Sequence, residues 1–393
     1  MTESRVGGDG ASLLEGAVEA LPEGRLAEQL ATGRPLRVKL GIDPTAPDIH
    51  LGHVVVLNKL RQFQDAGHVV VLIIGDYTAR AGDPSGRAVE RPVLSDEQID
   101  ANARTFQEQA FTVLDRERTE VRRNGEWLGM PSEELFRLVR RFTVARLLER
   151  EEFRRRMEAS EPISILELLY PVLQGYDSVA VEADVEIGGT DQKFNLLFGR
   201  DVQESLGTAP QSILTMPILP GTDGVRRMSK SLGNYVGVTD PPEEMFGKLM
   251  SIPDDVMGEY YRLLLYRPLD AEQHPGDAKR ELARDLVTRF HGEGAGAGAE
   301  ERFDRLHVRR ELPDDVPEVR AEPDDAGGVH LPALIAAAFG VSTSEARRLL
   351  SQGGVKVDGE AVDGGRLDIP MGDLEGRVLQ VGKRRFARVV GPS

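Results

Sequence analysis

Two hydrophobic periods alternate along the first 235 residues of the chain. Short apolar runs between turn residues, at 36–42, 69–74, 185–188 and 213–219, have the length and composition of buried strands. The segments between them carry apolar residues three to four positions apart, as in 54–63, which predicts helices. Strands that alternate with helices favour an α/β fold with a doubly wound parallel sheet, whose ligands bind at the carboxyl ends of the strands.

The pattern becomes helical on both sides of this region. Apolar residues with helical spacing before residue 33 predict an N-terminal arm, and Pro241-Pro242-Glu243-Glu244 begins a helical stretch that extends to about 290. Inside the α/β region, Pro131-Ser132-Glu133-Glu134 begins an apolar stripe, a feature that is more often core than interface. A Gly/Ala repeat at 292–299 predicts a flexible break.

The last part of the chain carries the signals of a separate small domain. A stretch rich in Pro and Asp at 313–328 predicts a linker. Beyond it, Ser342-Thr343-Ser344-Glu345 is a capping box for a helix, and Asp358-Gly359 predicts a hairpin turn. We therefore predict an N-terminal helical arm at 1–32, an α/β catalytic domain at 33–235 with inserted helices at about 125–165, a helical domain at 236–312, the linker, and a small α+β domain at 329–393.

Composition narrows the possible functions. The 393 residues include no cysteine, which excludes disulfides and thiolate zinc sites, and the seven histidines lack metal-ligand spacing, so no zinc is expected. The polar start of the chain and the absence of any run of 18 apolar residues predict a soluble, cytoplasmic protein without a membrane segment. A net charge of −16 argues against general nucleic-acid affinity, so an RNA ligand would have to meet local basic patches.

The segment His50-Leu51-Gly52-His53 lies where the first predicted strand is followed by a helix. At such a point free backbone N–H groups and the helix dipole favour phosphate, and Gly52 lets a ligand approach the backbone closely. Neutral imidazoles can donate further hydrogen bonds to phosphate oxygens. On these four residues alone, two histidines that simply cap the helix are an equally good interpretation.

A second candidate segment, Arg227-Met228-Ser229-Lys230-Ser231, follows the fourth predicted strand and a Gly-containing turn. Its cations surround small hydroxyl residues, which is typical of a mobile loop that closes on a triphosphate. The alternative is a solvated basic turn, although Met and Ser between the cations are poor choices for solubility alone.

Together the two segments resemble the signature motifs of class I aminoacyl-tRNA synthetases, and the residues around them are similar to those of bacterial tyrosyl-tRNA synthetases. The resemblance runs from about Leu36 to the C-terminus. The further motifs that carry it are Gly41-Ile42-Asp43-Pro44-Thr45-Ala46-Pro47, Gly82-Asp83-Pro84-Ser85-Gly86-Arg87, Tyr170-Pro171-Val172-Leu173-Gln174-Gly175-Tyr176-Asp177 and Gly188-Gly189-Thr190-Asp191-Gln192.

The resemblance implies a fold, a reaction and partners. It implies a Rossmann-like catalytic domain that activates L-tyrosine with ATP and then transfers the tyrosine to tRNA(Tyr). The resemblance makes ATP a substrate of this reaction that binds together with Mg²⁺. It further implies a homodimer formed through the inserted helices, an anticodon-side role for the helical domain, and an RNA-binding role for the small domain.

The resemblance also assigns the residues of the ATP side. The catalytic contacts to the phosphates fall on His50, His53, Arg227, Lys230, Arg87 and Arg91. The other nucleotide contacts fall on Gly41, Asp43, Gly52, Gly188, Gly189, Asp191, Met228, Ser229 and Ser231.

On the tyrosine side, the resemblance makes Asp83, Tyr170 and Gln174 acceptors for the α-ammonium group and Asp177 the acceptor for the phenol hydroxyl. Helical spacing places the last three on one face, which makes a surface position for Asp177 the weaker interpretation. The resemblance implies that the tyrosine pocket is lined by Thr78, Asn124, Trp127 and Gln192. It implies tRNA contacts at Arg347, Arg348, Lys356, Lys383, Arg384 and Arg385. For the tRNA residues, an exposed basic helix in an ordinary α+β domain is the alternative.

Three positions depart from the family. Lys39 stands where many members carry a second tyrosine near the phenol, although one bacterial branch resembles this chain there, so the hydroxyl contact rests mainly on Asp177. Arg227 replaces a lysine, which keeps the charge and changes its geometry. In Thr78-Ala79-Arg80-Ala81, a charged Arg80 could alter the amino-acid preference or point to solvent.

Two other functions stay open. One, suggested by the Ala79-Arg80-Ala81 departure, is a specialised duplicate that activates tyrosine or an analogue for a biosynthetic or resistance role. The other is an RNA-binding protein that has lost catalysis, against which the intact His50, His53 and Lys230 argue.

Overall fold

A computed structural model describes residues 10–45, 47–82, 94–309, 316–382 and 385–392. The chain divides into two compact units, Met1–Glu300 and Glu301–Ser393. Within the described residues, no helix is both long and apolar enough to cross a membrane.

The first unit is built on a six-stranded sheet with the order β1-β6-β5-β2-β3-β4. Its strands are β1 Glu19–Leu21, β2 Arg37–Ile42, β3 Val69–Ile74, β4 Thr119–Arg123, β5 Val185–Gly189 and β6 Ser212–Met216. Only β1, at one edge, runs antiparallel to its neighbour. The four strands predicted from the apolar runs are confirmed, and β6 ends before Pro217, which has no N–H group to donate to a sheet.

Helices cover the sheet and follow it in the first unit. They are α1 Gly10–Leu14, α2 Arg25–Ala31, α3 Leu51–Asp65, α4 Thr78–Ala81, α5 Asp96–Ala110, α6 Gly125–Leu128, α7 Ser132–Val139, α8 Val144–Leu147, α9 Glu151–Glu158, α10 Ile165–Ala180, α11 Lys193–Ser205, α12 Pro242–Met250, α13 Met257–Leu264, α14 Pro275–His291 and α15 Ala295–Phe303. Their starts follow local rules: Ser164 accepts a hydrogen bond from the Glu167 N–H while the Glu167 side chain accepts from the Ser164 N–H.

The strand order places a switch point between β2 and β5. From β2 the chain passes through α3 to β3 on one side, and the later β5 pairs with β2 on its other side. In such sheets a crevice opens at the carboxyl ends of the two strands where the order reverses. Most apolar residues of β2, β3 and β5 are almost fully buried, so these strand ends are supported by the core.

Two features of the first unit differ from the sequence expectation. The N-terminal arm contains the strand β1 between its helices, paired with β6 from Glu19↔Thr215 to Leu21↔Ile213. The Gly/Ala repeat predicted as a flexible break begins the helix α15. Alanine favours helix, and Gly296 permits close packing, because a Cβ there would lie 2.3 Å from the Arg284 carbonyl oxygen of α14.

The second unit has its own sheets and its own core. Its elements are β7 Glu318–Arg320, β8 Gly328–His330, α16 Leu331–Phe339, α17 Thr343–Ser351, β9 Val355–Val357, β10 Glu360–Ala361, β11 Asp368–Pro370, β12 Val378–Val381 and β13 Arg385–Val390. The strands form a five-stranded sheet, β10-β9-β12-β13-β7, and the pair β11-β8. Leu331, Ile335, Val355 and Leu379 are buried in its core.

The N-cap and the hairpin turn predicted for this unit are confirmed, while the Glu345 side chain of the predicted capping box bonds Arg348. Ser342 caps α17 by accepting from the Glu345 N–H at 3.1 Å, and Asp358 and Gly359, with φ of 48° and 87°, turn the β9–β10 hairpin. Part of the stretch predicted as a linker is the strand β7, which pairs parallel with β13 and buries Val319. The domain boundaries drawn from the sequence stay predictions.

Candidate functional site

A cleft of about 290 Å³ opens at the switch point between β2 and β5. It is bounded by the ends of these strands, the start of α3, the middle of α10 and the segment that follows β6. Most of the residues assigned to ATP and tyrosine line it: Gly41, Asp43, His50, Gly52, His53, Thr78, Tyr170, Gln174, Asp177, Gly188, Gly189, Asp191, Gln192, Arg227, Met228 and Ser229.

His50 and His53 form a stacked pair at the start of α3, with ring centroids 3.9 Å apart. His53 Nδ1 accepts a hydrogen bond from the His50 backbone N–H at 3.2 Å, which leaves the proton of a neutral His53 on Nε2. His50 Nδ1 is buried and has no hydrogen-bond partner among the described residues. His53 Nδ1 is therefore used at the start of the helix, whereas His50 Nδ1 is left for a ligand.

Burial controls the charge of this pair. Burial, and then the positive charge of Lys230, lowers the pKa of His53 to about 4. The pKa of His50 is lowered well below its ordinary value by burial first and then by His53 and Lys230. Both imidazoles are therefore neutral at pH 7, so they can act toward an anion as hydrogen-bond donors and not as cations.

Two glycines leave room for a ligand beside the histidines. A Cβ on Gly52 would lie 3.0 Å from the ring of His50, and a Cβ on Gly41 would meet nothing within 4 Å. Gly52 is thus needed by the histidine packing, whereas Gly41 borders open space in the cleft.

The basic segment after β6 is held by Asn234. The Asn234 Oδ1 atom accepts from the Ser229 N–H at 2.9 Å, and its Nδ2 atom donates to Asp223 Oδ2 at 3.0 Å and to the Arg227 carbonyl oxygen at 3.1 Å. A Cβ on Gly221 would overlap the Asn234 amide, so the glycine of the turn is a packing requirement. These contacts fix the conformation of the segment.

Each of the two assigned cations of this segment has a carboxylate partner. Arg227 Nη1 lies 3.1 Å from Asp191 Oδ2, and Lys230 Nζ pairs with Asp48 Oδ2. Both pairs are partly exposed, so each is worth at most about 1 kcal/mol. A polyphosphate can therefore displace the carboxylates at small cost.

The floor of the cleft on the α10 side is built around Asp177. This carboxylate is almost fully buried; Trp127 Nε1 donates to Oδ1 at 2.8 Å and Asn124 Nδ2 to Oδ2 at 3.3 Å. Burial raises the pKa of Asp177 to about 6, against the lowering effects of the Lys39 charge and these two donors. The surface interpretation of Asp177 is wrong, and the group is an ionised, buried acceptor at neutral pH.

A hydrogen-bond chain connects the floor to the strand ends. Asn124 Nδ2 donates to Thr78 Oγ1 at 2.9 Å, and Thr78 Oγ1 donates to Asp43 Oδ1 at 2.7 Å. The Tyr170 hydroxyl donates to Asp43 Oδ2 at 2.9 Å. Gly75 is essential to this chain, because a Cβ there would lie 2.2 Å from Asp43 Oδ1.

The structure decides the question raised by Arg80. Its guanidinium lies at the surface, where Nη2 is 2.8 Å from Asp96 Oδ1 and Nη1 donates to the Asp76 carbonyl oxygen. Arg80 is not among the residues that line the cleft. This departure therefore gives no support to an altered amino-acid preference.

The remaining assigned residues have three locations. Asn124 and Trp127 contact Asp177 from behind, and Lys230 and Ser231 continue the segment that lines the cleft. Arg347, Arg348, Lys356 and Arg385 are exposed in the second unit, where Arg348 pairs with Glu345 at 2.6 Å. The predictions on Asp83, Arg87, Arg91, Lys383 and Arg384 lie outside the described residues.

Sequence reasoning missed several residues of the site. Glu186 lines the cleft and pairs with the buried Lys39, and Asp48 is the partner of Lys230. Asn234 organises the basic segment, and it stands only three positions after the end of that segment in the sequence. For Glu186 a signal existed: a carboxylate inside an apolar strand requires a buried partner.

Among the described residues, no group of three or more His, Asp or Glu side chains could hold a metal ion. One side of the cleft has neutral hydrogen-bond donors, the start of a helix, and cations whose carboxylate partners can be displaced. The other side has a buried carboxylate. Such an arrangement can bind a polyphosphate next to a molecule that carries a hydroxyl group.

Comparison with known proteins identifies the family with this arrangement. Residues 31–308 match tRNA synthetases class I (W and Y), and residues 331–367 match the S4 domain. The chain is 51% identical over 394 residues to a tyrosine–tRNA ligase of Moorella thermoacetica, covering 96% of this chain and 94% of the relative. A tyrosine–tRNA ligase of Coxiella burnetii is 49% identical over 385 residues, covering 95% and 96%.

Solved structures share the fold. A C-terminally truncated mitochondrial tyrosyl-tRNA synthetase of Aspergillus nidulans gives a TM-score of 0.64 at 21% identity, covering 76% of this chain and 94% of that chain. The tyrosyl-tRNA synthetase of Archaeoglobus fulgidus complexed with L-tyrosine gives 0.61 at 23% identity, covering 74% and 100%. From its sequence match over more than half its length, the chain belongs to the class I tRNA synthetases of the tryptophan and tyrosine family.

Proposed function

We propose that this chain is a tyrosine–tRNA ligase. In the first step an oxygen of the tyrosine carboxylate attacks the α-phosphorus of ATP, the bond to the bridging oxygen breaks, and pyrophosphate leaves. In the second step the tyrosyl group passes from the adenylate to a terminal ribose hydroxyl of tRNA(Tyr), and AMP leaves. Relatives about 50% identical over nearly the whole chain carry this name.

The observation that carries the choice of amino acid is the buried Asp177. Its carboxylate is ionised at neutral pH, receives hydrogen bonds from Trp127 and Asn124, and borders the cleft. A phenol hydroxyl can donate to it, whereas phenylalanine would leave a buried carboxylate short of a donor. Sites of this kind discriminate strongly, by about 10⁵-fold in this enzyme family.

The other groups of tyrosine also find partners in the proposal. The Tyr170 hydroxyl donates to Asp43, and a phenol oxygen can also accept a hydrogen bond, here from the α-ammonium group. Gln174 Oε1 is a buried acceptor without a hydrogen-bond partner among the described residues. Asp83 completes this set as a prediction from the sequence.

For ATP, the proposal assigns charge stabilisation to His50, His53, Arg227 and Lys230. No protein nucleophile is needed, because the reaction is accelerated by positioning and by stabilising the charge on the phosphate oxygens. The start of α3 supplies backbone N–H groups and the neutral imidazoles supply side-chain donors. We propose that Mg²⁺ enters with ATP, coordinated mainly by the phosphates.

The second unit is the proposed contact with tRNA. Arg347, Arg348, Lys356 and Arg385 are exposed. Arg348 and Arg385 act on the same carboxylate. The pKa of Glu345 is lowered mainly by its hydrogen bond with Arg348 and also by the charge of Arg385. Exposed cations on α17 and β13 are suited to phosphate contacts that hold an RNA without reading its bases.

We also propose a homodimer in the cytoplasm, where ATP and tRNA are available to it. The helices between β4 and β5 expose large apolar side chains, including Phe136 at 65%, Val144 at 59% and Ile165 at 78%. The opposite face of these helices is packed, with Leu138 and Leu147 in a buried cluster. Apolar residues exposed on an otherwise packed helical layer fit a second copy of the chain.

ATP–pyrophosphate exchange with a panel of amino acids, followed by charging of tRNA(Tyr), tests the proposal. Tyrosine alone should support exchange, and the labelled tyrosine should then appear on the tRNA. Exchange with a different amino acid, or none with any, would overturn it.

A further inference from the structure

A buried group of charged and polar side chains lies beneath the amino-acid half of the cleft. Lys39 on β2 and Glu186 on β5 are register partners, and Lys39 Nζ lies 2.9 Å from Glu186 Oε1 with side-chain exposures of 0% and 1%. Apolar residues in place of a buried ion pair often leave stability unchanged or higher. Stability alone therefore does not account for the pair.

The Lys39 ammonium group is saturated. Besides Glu186, it donates to Ser178 Oγ at 2.8 Å and to the backbone oxygen of Gln174 at 3.1 Å. Three acceptors use its three N–H groups. Lys39 thus joins the two strands to α10 at the turn that carries Gln174 and Asp177.

The Glu186 carboxylate receives several donors. Oε1 accepts from Gln174 Nε2 at 3.1 Å in addition to Lys39, and Oε2 accepts from Ser178 Oγ and Gln211 Nε2. Because an ionised carboxylate can only accept hydrogen bonds, the Gln174 amide must turn its nitrogen toward Glu186. The amide oxygen is then directed away from Glu186.

The amide oxygen of Gln174 faces no donor in the part of the chain that the structure describes. Gln174 Oε1 is buried, lacks a hydrogen-bond partner among the described residues, and belongs to a residue that lines the cleft. Leaving a buried acceptor unpaired costs free energy unless a ligand supplies a donor. The local hydrogen bonds thus set up an acceptor and leave it for a ligand.

We propose that Glu186 is a positioning residue of the amino-acid subsite. Its carboxylate, held by Lys39, fixes the Gln174 amide so that Oε1 accepts from the α-ammonium group of the amino acid. The inference rests on the proposed function, because that function supplies an ammonium group at this place. Without the carboxylate, the Gln174 amide can turn over and direct its N–H groups toward the ammonium group. Both groups are then hydrogen-bond donors, so no hydrogen bond forms.

The test uses the apolar double variant Lys39→Met/Glu186→Met in the full chain, which removes both charges at similar volume. Calorimetry without ATP measures the Kd of tyrosine and of 3-(4-hydroxyphenyl)propanoate, which lacks the α-amino group. Tyrosine should bind about 10- to 100-fold more weakly, as expected for a lost hydrogen bond to a charged group. The analogue should change by no more than about twofold.

Two further variants isolate the mechanism. Ser178→Ala touches Lys39 and Glu186 but not the Gln174 amide, so the ratio of the two Kd values should stay at the wild-type value. In a Gln174→Ala background, the double Met change should weaken tyrosine by no more than about twofold further. A larger additional loss would mean that Glu186 contacts the ligand directly, which overturns the positioning role.

Other outcomes also decide the question. Equal weakening of tyrosine and the analogue, or no weakening of tyrosine, overturns the proposal. If the double variant shows no melting transition, Glu186→Gln takes its place: a neutral amide permits both orientations of Gln174, and a Kd ratio unchanged from wild type would again overturn it. A wild-type protein that does not bind tyrosine would instead defeat the proposed function.

Discussion

The two halves of the cleft balance their charges in different ways. In the tyrosine half, the buried Asp177 receives hydrogen bonds from the neutral groups of Trp127 and Asn124. In the ATP half, Arg227 and Lys230 are partly exposed and each lies against a carboxylate. The donors that hold Asp177 are neutral, whereas the cations of the ATP half must exchange their carboxylate partners for phosphates.

This difference separates selectivity from rate. A buried acceptor held by neutral donors has its geometry before the ligand arrives, so it can discriminate a hydroxyl group at the binding step. Cations that leave weak surface partners for developing phosphate charge act mainly in the transition state. We therefore expect changes in the tyrosine half to alter tyrosine affinity and changes in the ATP half to alter the activation rate.

The largest expected effect is on Lys230. Lys230→Ala should lower the rate of tyrosyl-adenylate formation about 100-fold, with little change in tyrosine affinity, because it removes a charge that acts on the phosphates. Pre-steady-state adenylate formation measures both quantities. Lys248→Ala is the matched control: Lys230 Nζ and Lys248 Nζ lie 5.6 and 4.8 Å from the centre of the Tyr235 ring, but Lys248 pairs with Asp240. A near wild-type rate for Lys230→Ala would mean that the segment is only a solvated turn.

Asp177 should show the opposite division. Asp177→Asn should raise the KM for tyrosine about 10- to 100-fold and leave the KM for ATP near its wild-type value, because the phenol loses a charged acceptor. Exchange assays that vary each substrate in turn measure the two constants. Equal increases in both would remove Asp177 from the tyrosine pocket.

The pH dependence sharpens the same point. Burial raises the pKa of Asp177 from 3.8 to about 6, so the KM for tyrosine should rise as the pH falls through about 6. The slope approaches tenfold per pH unit once the protonated form dominates. Asp177→Asn should remove this dependence, and His53, with its pKa of about 4, should not contribute to it.

The raised pKa of Asp177 also makes the free energy of unfolding depend on pH. Between pH 3.8 and about 6 the folded state holds the Asp177 proton that the unfolded state has lost. Its contribution to the free energy of unfolding is therefore greatest below this window and falls as the pH rises through it.

The smallest expected effect concerns Asp48. Asp48→Asn removes the carboxylate that competes with phosphate for Lys230, so ATP should bind up to about fivefold more tightly, the limit for a partly exposed pair. Calorimetry with ATP alone provides the measurement. Asp223→Asn, which removes a carboxylate from the same segment without touching Lys230, should not tighten ATP binding. Weaker binding after Asp48→Asn would show that Asp48 itself helps to hold the nucleotide.

The sequence predicted the strands and the strand-end residues because each leaves a local signal. Apolar runs marked β2, β3, β5 and β6, and the histidines and Arg227 stood in recognisable motifs. The partners of these residues were not predicted. Asp48 meets Lys230 across 182 positions, and Lys39 meets Glu186 across two strands that are not adjacent in the sequence.

The missed elements have a similar physical reason. The strand β1 has three residues and becomes a strand only by pairing with β6, and the Gly/Ala repeat becomes helical where Gly296 packs on α14. Tertiary contacts decide such segments, whereas composition alone favours turns and breaks.

The contacts of Asp177 imply that the tyrosine half is formed before ATP binds. Equilibrium binding of tyrosine without ATP, measured by calorimetry for the wild type, Lys230→Ala and Asp177→Asn, is the decisive experiment. The wild type and Lys230→Ala should bind tyrosine with the same Kd, and Asp177→Asn should bind it about 10- to 100-fold more weakly. Tyrosine binding that requires ATP, or that weakens as much in Lys230→Ala as in Asp177→Asn, would contradict the account.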